Sequence, residues 1–572
     1  MKKIAIFLFS LSMICATDDS NNKENIENYD TGKSKIIQII KNNGAIIHDN
    51  KNICLAETKN LAKDMNLAEI SDLIGCKTLL GKTFIEKALT QPFNSQAKDT
   101  CIATRQASIK TLVENPMLKK EVEQLLEQAK EAEQDIIKLM SDYFKGKTCP
   151  ELAHLQALKE PNPLIYSLNN FFLINPIPRT ISTLLNIAGF ASTAYVSAYS
   201  GIAAYQLAQM GIDYTKAIEA SLYMGVIAGF SGYGAYKDYA TALEKRDKIH
   251  ALHTFVMVSE KIDLLCTQHG IKSQFSIQNV QDEQGRALIK KLKHRRYKNK
   301  RNYFFMTPMV HTFLYHIYEE DHQLINIFAA IAELDAYNAL ASKIIDSSDA
   351  PHKFCFVNFL DNQKPEVHAE GFWNILVTNP VVNDIAENKH ILLTGPNKGG
   401  KSTSIKAILQ NIILGQSFGI AAAREFNFTP FDIIHSYLNV SDDLINGLSL
   451  FASELKRAQD ILTIVKSLQT SDQKFFFALD ELFTGTAAED GEKCAYEFVK
   501  KLATFKNTMF IYATHFSRLK ELGLENTGCI NYKVDAPIKN EFGILTYPFT
   551  ISQGESNVNV ALDLARESGL FA

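Results

Sequence analysis

The stretch LLTGPNKGGKST, residues 392–403, fits the pattern G-x-x-x-x-G-K-[ST], in which a glycine-rich turn cradles phosphate groups. Its surroundings supply the strand and helix that this pattern needs. Residues 391–393 are all apolar and read as a short buried strand running into Gly395, and an apolar-periodic segment follows from Ile405 to Leu414. Gly395, Pro396, Asn397, Gly399, Gly400 and Thr403 form the loop, whose glycines let backbone N–H groups turn toward an anion without Cβ obstruction. Lys401 is expected to reach the β- and γ-phosphates, and Ser402 to hold Mg2+. ATP with Mg2+ is the expected ligand.

Two more apolar runs place complementary groups beside that loop. FFFALDELFTGT, residues 475–486, begins as a strand and ends in adjacent carboxylates, Asp480 and Glu481. Such a pair divides the labour: Asp480 steadies Mg2+ through its waters, and Glu481 accepts a proton from the attacking water. TMFIYATH, residues 508–515, brings His515 to the carboxyl end of a third strand, where it can sense the γ-phosphate. In open α/β sheets the ligand lies beyond that end of the strands.

These residues resemble the ATPase of the MutS family. TGPNKGGKST is similar to that family's phosphate loop, DELFTGTAAEDG (480–491) to its acidic segment, and ATHFSRL (513–519) to its histidine segment. SDDLINGLSLFASEL (441–455) resembles its signature loop, as in ABC-type ATPases. The resemblance implies that Gly447, Ser449 and Glu454 belong to that loop, that Ser449 approaches a nucleotide held by a partner subunit, and that the chain dimerises through its ATPase heads. Residues 72–126 look like the start of the family's helical core, and AAIAELDAYNALA (329–341) like the lever helix returning toward the ATPase. NPVVNDI (379–385) resembles the segment before the loop, which implies that Val382 and Asn383 lie near the adenine.

The chain also departs from the pattern. Lys398 stands where the family usually has Met, Phe483 and Thr484 replace a usual Gly-Arg, and Leu450 replaces a usual Thr. None of these removes Lys401, Ser402, Asp480, Glu481 or His515. No segment reads as the family's mismatch-reading domain. The expectation is therefore a MutS-like ATP-dependent DNA-binding protein, acting in mismatch repair or on branched DNA. The alternative is a membrane-tethered ATPase of the same type with a protein or lipid partner.

The fold class expected is an α/β P-loop ATPase domain of ABC type, C-terminal to a mostly helical core and lever. The sequence divides into a signal-peptide-like segment (1–16), a polar linker (17–34), the first part of the core (35–160), an apolar helical region (161–250), a returning lever (251–350) and the ATPase (351–572). VEQLLEQAKEAEQDIIKLM, residues 122–140, sets apolar residues at helical spacing among charges.

A chain of 572 residues with 46% hydrophobic and 22% charged content reads as a folded multidomain protein. Its net charge of −3 exerts no global pull on nucleic acid, so DNA contact must come from a local patch. KKLKHRRYKNKR, residues 290–301, is the densest: Lys290, Lys291, Lys293, Arg295, Arg296, Lys298, Lys300 and Arg301 suit phosphates, with anionic lipid as the competing partner. Nine scattered cysteines without a C-x-x-C pair argue against zinc and against a disulfide framework.

Two segments bear on location. MKKIAIFLFSLSMICA has the form of a secretory signal. Residues 180–212 and 220–236 contain no charged side chain and could cross a bilayer as a hairpin, in the position where the resemblance expects a DNA clamp. A site for ATP argues instead for the cytoplasm. The sequence leaves both locations open.

Overall fold

A computed structural model of the chain describes residues 55–56, 58–144, 325–396, 398–438, 450–467, 472–525, 527–539, 545–556 and 558, together with parts of 191–298. Seven strands form the main sheet: β1 (Leu55–Ala56), β2 (His390–Thr394), β3 (Ile433–Tyr437), β4 (Phe475–Asp480), β5 (Thr508–Thr514), β6 (Cys529–Val534) and β7 (Ile551–Gln553). Their order is β1-β3-β4-β5-β2-β6-β7, parallel throughout except for the β6–β7 edge. Parallel strands covered on both faces need apolar side chains at nearly every position, which explains the unbroken runs in β2, β4 and β5. Phe475, Phe477, Leu479, Phe510 and Tyr512 share one face with Ile461 and Val465 of α6 (Leu450–Ser467) and Val499 and Leu502 of α7 (Ala488–Leu502). The alternate residues serve the other face, against which α5 (Lys401–Phe418) packs.

A four-stranded sheet stands beside the loop, in the order Asn358–Phe359, Glu425–Phe428, Val367–Phe372, Asn383–Glu387. Residues 58–144 are helical apart from their turns, as the periodicity predicts, and include α1 (Leu79–Thr90), α2 (Ala103–Glu114) and α3 (Pro116–Phe144). The chain divides into two compact units, one of Lys41–Glu123, Leu265–Ser273 and Ala332–Ala572, the other of Met1–Ile40, Gln124–Leu264 and Gln274–Ile331. The first helices of the expected core thus share a unit with the α/β region.

In that unit, α4 (Ile325–Asp346) is joined to α1 by a buried carboxylate. Asp335 accepts from the backbone N–H groups of Lys77 and Thr78, at 3.1 and 2.8 Å, and from the Thr78 hydroxyl at 2.7 Å. Thr78 in turn caps α1 by accepting from the Gly81 N–H. A Cβ at Gly81 would collide with the Asp335 carboxyl, so glycine is needed there for close approach. Burial pushes the Asp335 carboxyl above its ordinary range, against the opposing pull of these donors.

At the start of β2, His390 is 8% exposed and stacks on Phe510 with ring centroids 4.3 Å apart. Burial drives its pKa from 6.5 down to about 4. The unfolded chain therefore takes up this proton first, and stability is lost as pH falls from about 6.5 to about 4. The His390→Phe variant should lose about 2–3 kcal/mol less than the parent between pH 7 and pH 4.5, measured by urea denaturation. An equal loss in both would assign the acid sensitivity elsewhere.

In the other unit, residues 250–264 are helical and hold the segment bearing the basic run. His250 and His253 bond through Nδ1 to the carbonyls of Tyr297 and Leu292, at 3.0 and 2.6 Å. Asp263 accepts from the Ser276 hydroxyl and the Ile277 N–H. The signal-like segment and linker, residues 1–34, lie outside the described residues, as does much of the uncharged region 180–236. Among the described residues no helix is long and apolar enough to cross a membrane. The six described cysteines are free thiols, with Cys266 and Cys529 buried. Among the described residues no three His, Cys, Asp or Glu side chains are grouped to hold a metal ion.

Candidate nucleotide site

The phosphate loop leaves β2 at Thr394 and enters α5 at Lys401. Gly400 caps the helix with φ 97°, a left-handed conformation that a side chain resists, and a Cβ there would press on the Phe549 ring at 3.2 Å. Lys398 adopts φ 66° in the same turn. The backbone N–H groups at the start of α5 have no helical acceptor of their own, and the helix dipole favours an anion there.

Three strand ends converge on that turn. The Ser402 hydroxyl donates to Oδ2 of Asp480 at the end of β4. Oδ1 of Asp480 is buried and has no hydrogen-bond partner among the described residues. Burial raises the Asp480 carboxyl above its usual range; the Ser402 bond opposes this and the Glu481 charge adds to it. A hydroxyl and a half-satisfied buried carboxylate are the hard oxygen donors that Mg2+ takes. The residues present therefore fit that ion.

Lys401 is 5% exposed, and its ammonium donates to the carbonyls of Gly395 and Pro396 at 3.0 and 3.4 Å. It also lies 3.6 Å from Oε1 of Glu481, and His515 Nδ1 lies 3.7 Å from the same oxygen. His515, then Lys401, hold the Glu481 carboxyl below its ordinary range against the effect of burial. Glu481 itself sits at φ 47°, a costly conformation for a residue with a side chain, of the kind found at functional sites. Lys401, Ser402, Asp480, Glu481 and His515 thus form one cluster at the carboxyl ends of β2, β4 and β5.

A cavity of about 320 Å³ adjoins the loop, lined by Trp373, Pro380, Asn383, Gly400, Thr403 and Phe549 among others. Asn383 accepts from the Ile551 N–H at 2.7 Å and donates to the Phe549 carbonyl at 3.3 Å, fixing that aromatic wall. Its neighbour Val382 is 40% exposed and is not part of the lining. Trp373 and Phe549 escaped the sequence reading. The single tryptophan in the chain was the available signal for one of them.

Glu454 has a different place from the one the signature-loop resemblance implies. It lies on α6, fully buried, and accepts from the N–H groups of Thr484 and Gly485, each at 3.1 Å. Its carboxylate therefore secures the turn after Asp480 and Glu481 within its own chain. Asn397, Gly447 and Ser449 lie outside the described residues.

Comparison with known proteins agrees with this geometry. A family profile, MutS domain V, matches residues 391–571. The DNA mismatch repair protein MutS of Finegoldia magna is 27% identical over 243 residues, 42% of this chain and 28% of that protein. The protein of the same name from Fusobacterium nucleatum is 32% identical over 193 residues, 33% of this chain and 21% of that one. That from Clostridium tetani is 27% identical over 245 residues, 42% and 27%. The matched stretch thus spans less than a third of each of these relatives. Residues 391–571, which carry the phosphate loop, the acid pair and the histidine, are thus similar to domain V of MutS proteins.

Proposed function

We propose that this chain is an ATPase that binds ATP with Mg2+ at residues 395–403 and uses the nucleotide state to close on DNA. The observation that carries the reading is the pairing of Ser402 with Asp480, whose buried Oδ1 has no partner among the described residues, next to the Lys401–Glu481–His515 cluster. Mg2+ held by Ser402 and Asp480 would neutralise charge on the β- and γ-phosphate oxygens. An incoming polyphosphate competes with Glu481 for Lys401. Losing that cation raises the proton affinity of Glu481, which readies it to accept the proton of an attacking water. His515 keeps the Glu481 carboxylate oriented, and adenine occupies the cavity walled by Trp373, Asn383 and Phe549. Two heads would meet through the signature loops, Ser449 of each facing the nucleotide of the other.

DNA is carried over from the name of the relatives, and mismatched or branched duplexes are the substrates to try first. Lys290 and Lys298 are exposed, whereas Lys293 is paired with Glu260. Arg295, Arg296, Lys300 and Arg301, and the side chain of Lys291, lie outside the described residues. Binding of the full chain to perfect, mismatched and branched duplexes should strengthen with ATP. Its affinity should fall with salt with a log–log slope of about −3 or steeper, and Lys290→Glu should reduce that slope by about 1. No binding at low salt would reject DNA as the partner.

A second reading, a membrane-tethered ATPase with a protein or lipid partner, is supported by one feature. Tyr195, Tyr199, Ile202, Tyr205, Ile218 and Leu222 are all exposed, while the small residues Gly201 and Ser221 approach each other. Large apolar groups outside and small ones inside suit lipid. Release by carbonate without detergent would reject this reading.

A further inference from the structure

A cleft of about 510 Å³ opens between α3 and helical residues 250–264, and its two walls carry opposite charge. One wall presents Glu131 and Asp135, one turn apart on α3. The other presents His250, His253, Lys261 and Lys298. Lys293 also reaches the cleft, but its ammonium is paired with Glu260. The floor is apolar, made by Ala132, Ala251 and Met257.

The histidines are set for a ligand. A carbonyl can only accept, so the Nδ1 atoms facing Tyr297 and Leu292 carry hydrogens, and each neutral ring is left with a lone pair on Nε2. His253 is only 6% exposed, lines the cleft and has no second partner among the described residues. Burial holds its pKa down, against the opposing pull of the Leu292 carbonyl. An anion in the cleft would reverse that effect and let Nε2–H become a donor.

We infer that this cleft binds a nucleoside 5′-phosphate, either free or at the end of a DNA strand. The phosphate lies against Lys298, Lys261 and His253. The flat base rests on the apolar floor, where the Met257 thioether suits an aromatic edge. Ribose hydroxyls and exocyclic amines, which donate hydrogen bonds, face Glu131 and Asp135. The volume matches a ligand of this size.

The test is calorimetric titration of the full chain and of its Lys401→Ala variant, whose phosphate loop has lost its cation, so that binding at the loop is told apart from binding in the cleft. The probes are GMP, AMP, guanosine, orthophosphate, and single-stranded oligonucleotides with a 5′-phosphate or a 5′-hydroxyl. Nucleoside monophosphates should bind, guanosine at least about tenfold more weakly, and Lys298→Glu and His253→Leu should each weaken binding about tenfold, the loss of one charge-assisted bond. Lys298 is exposed, so its variant tests the site even if His253→Leu disturbs the helix. Preference for the 5′-phosphorylated over the 5′-hydroxyl strand assigns the ligand to a DNA end; binding of mononucleotides alone assigns it to a free nucleotide. No binding of any phosphorylated probe, or equal affinity in parent and Lys298→Glu, overturns the inference.

Discussion

On the proposed reading, replacing Glu481 by Gln is expected to lower ATP turnover by about 10²–10⁴-fold while nucleotide binding is retained. The amide keeps the shape of the carboxylate and can still meet His515 and Lys401, 3.7 and 3.6 Å from Oε1, but it accepts no proton. Removing its charge also frees Lys401 from a competing anion, so binding of ATP should be unchanged or tighter. Single-turnover phosphate release and a nucleotide-binding titration separate the two effects. Unchanged turnover would remove Glu481 from the chemistry. Loss of binding together with turnover would make it a structural residue of the loop.

The largest stability effect is expected at a residue far from the phosphates. Arg105 on α2 is 1% exposed, and its guanidinium lies over the rings of Phe84, Phe93 and Phe418, at 5.3, 4.6 and 5.3 Å from their centroids. Nη1 donates to the Ser417 carbonyl at 2.9 Å, at the negative end of the α5 dipole. Its charge also acts on the Tyr337 hydroxyl, which donates to the buried Glu333 of α4 at 2.7 Å. Arg105→Ala opens a void among three rings, removes the cation beside the Tyr337 hydroxyl and leaves the Ser417 carbonyl without its donor. The expected loss is about 3–5 kcal/mol, measured by urea denaturation. A loss below about 1 kcal/mol would show that the aromatic cage closes without the cation.

What could be read from the sequence follows from chemistry that is local in the chain. Strands β2, β4 and β5 carry apolar runs that lead into the phosphate loop, the Asp480–Glu481 pair and His515, so the parallel α/β sheet and the convergence of Lys401, Ser402, Asp480, Glu481 and His515 were legible. Contacts between distant segments were not. β1 is two residues long and joins the sheet only through its pairing with Ile433 and Ile434. The side wall of the 320 Å³ cavity joins Trp373 to Phe549, and no spacing rule links positions so far apart. Glu454 resembled a signature-loop residue, yet its carboxylate turns inward to Thr484 and Gly485, because a buried pair of N–H groups needs an acceptor.

Helix α5 has 18 residues and is about 27 Å long. Its first turn faces the phosphates, and its last is fastened to the helical segment below. Ser417 donates to the Ala88 carbonyl, Gln416 bonds the carbonyls of Phe93 and Phe431, and Arg105 holds the Ser417 carbonyl. A helix tied at both ends transmits displacement as a connecting rod does, with little compression along its axis. On the proposed reading, a shift of the loop on gain or loss of a terminal phosphate would be carried along α5 to Ala88 and Phe93. Lengthening or softening the last turn would then uncouple the loop from that segment.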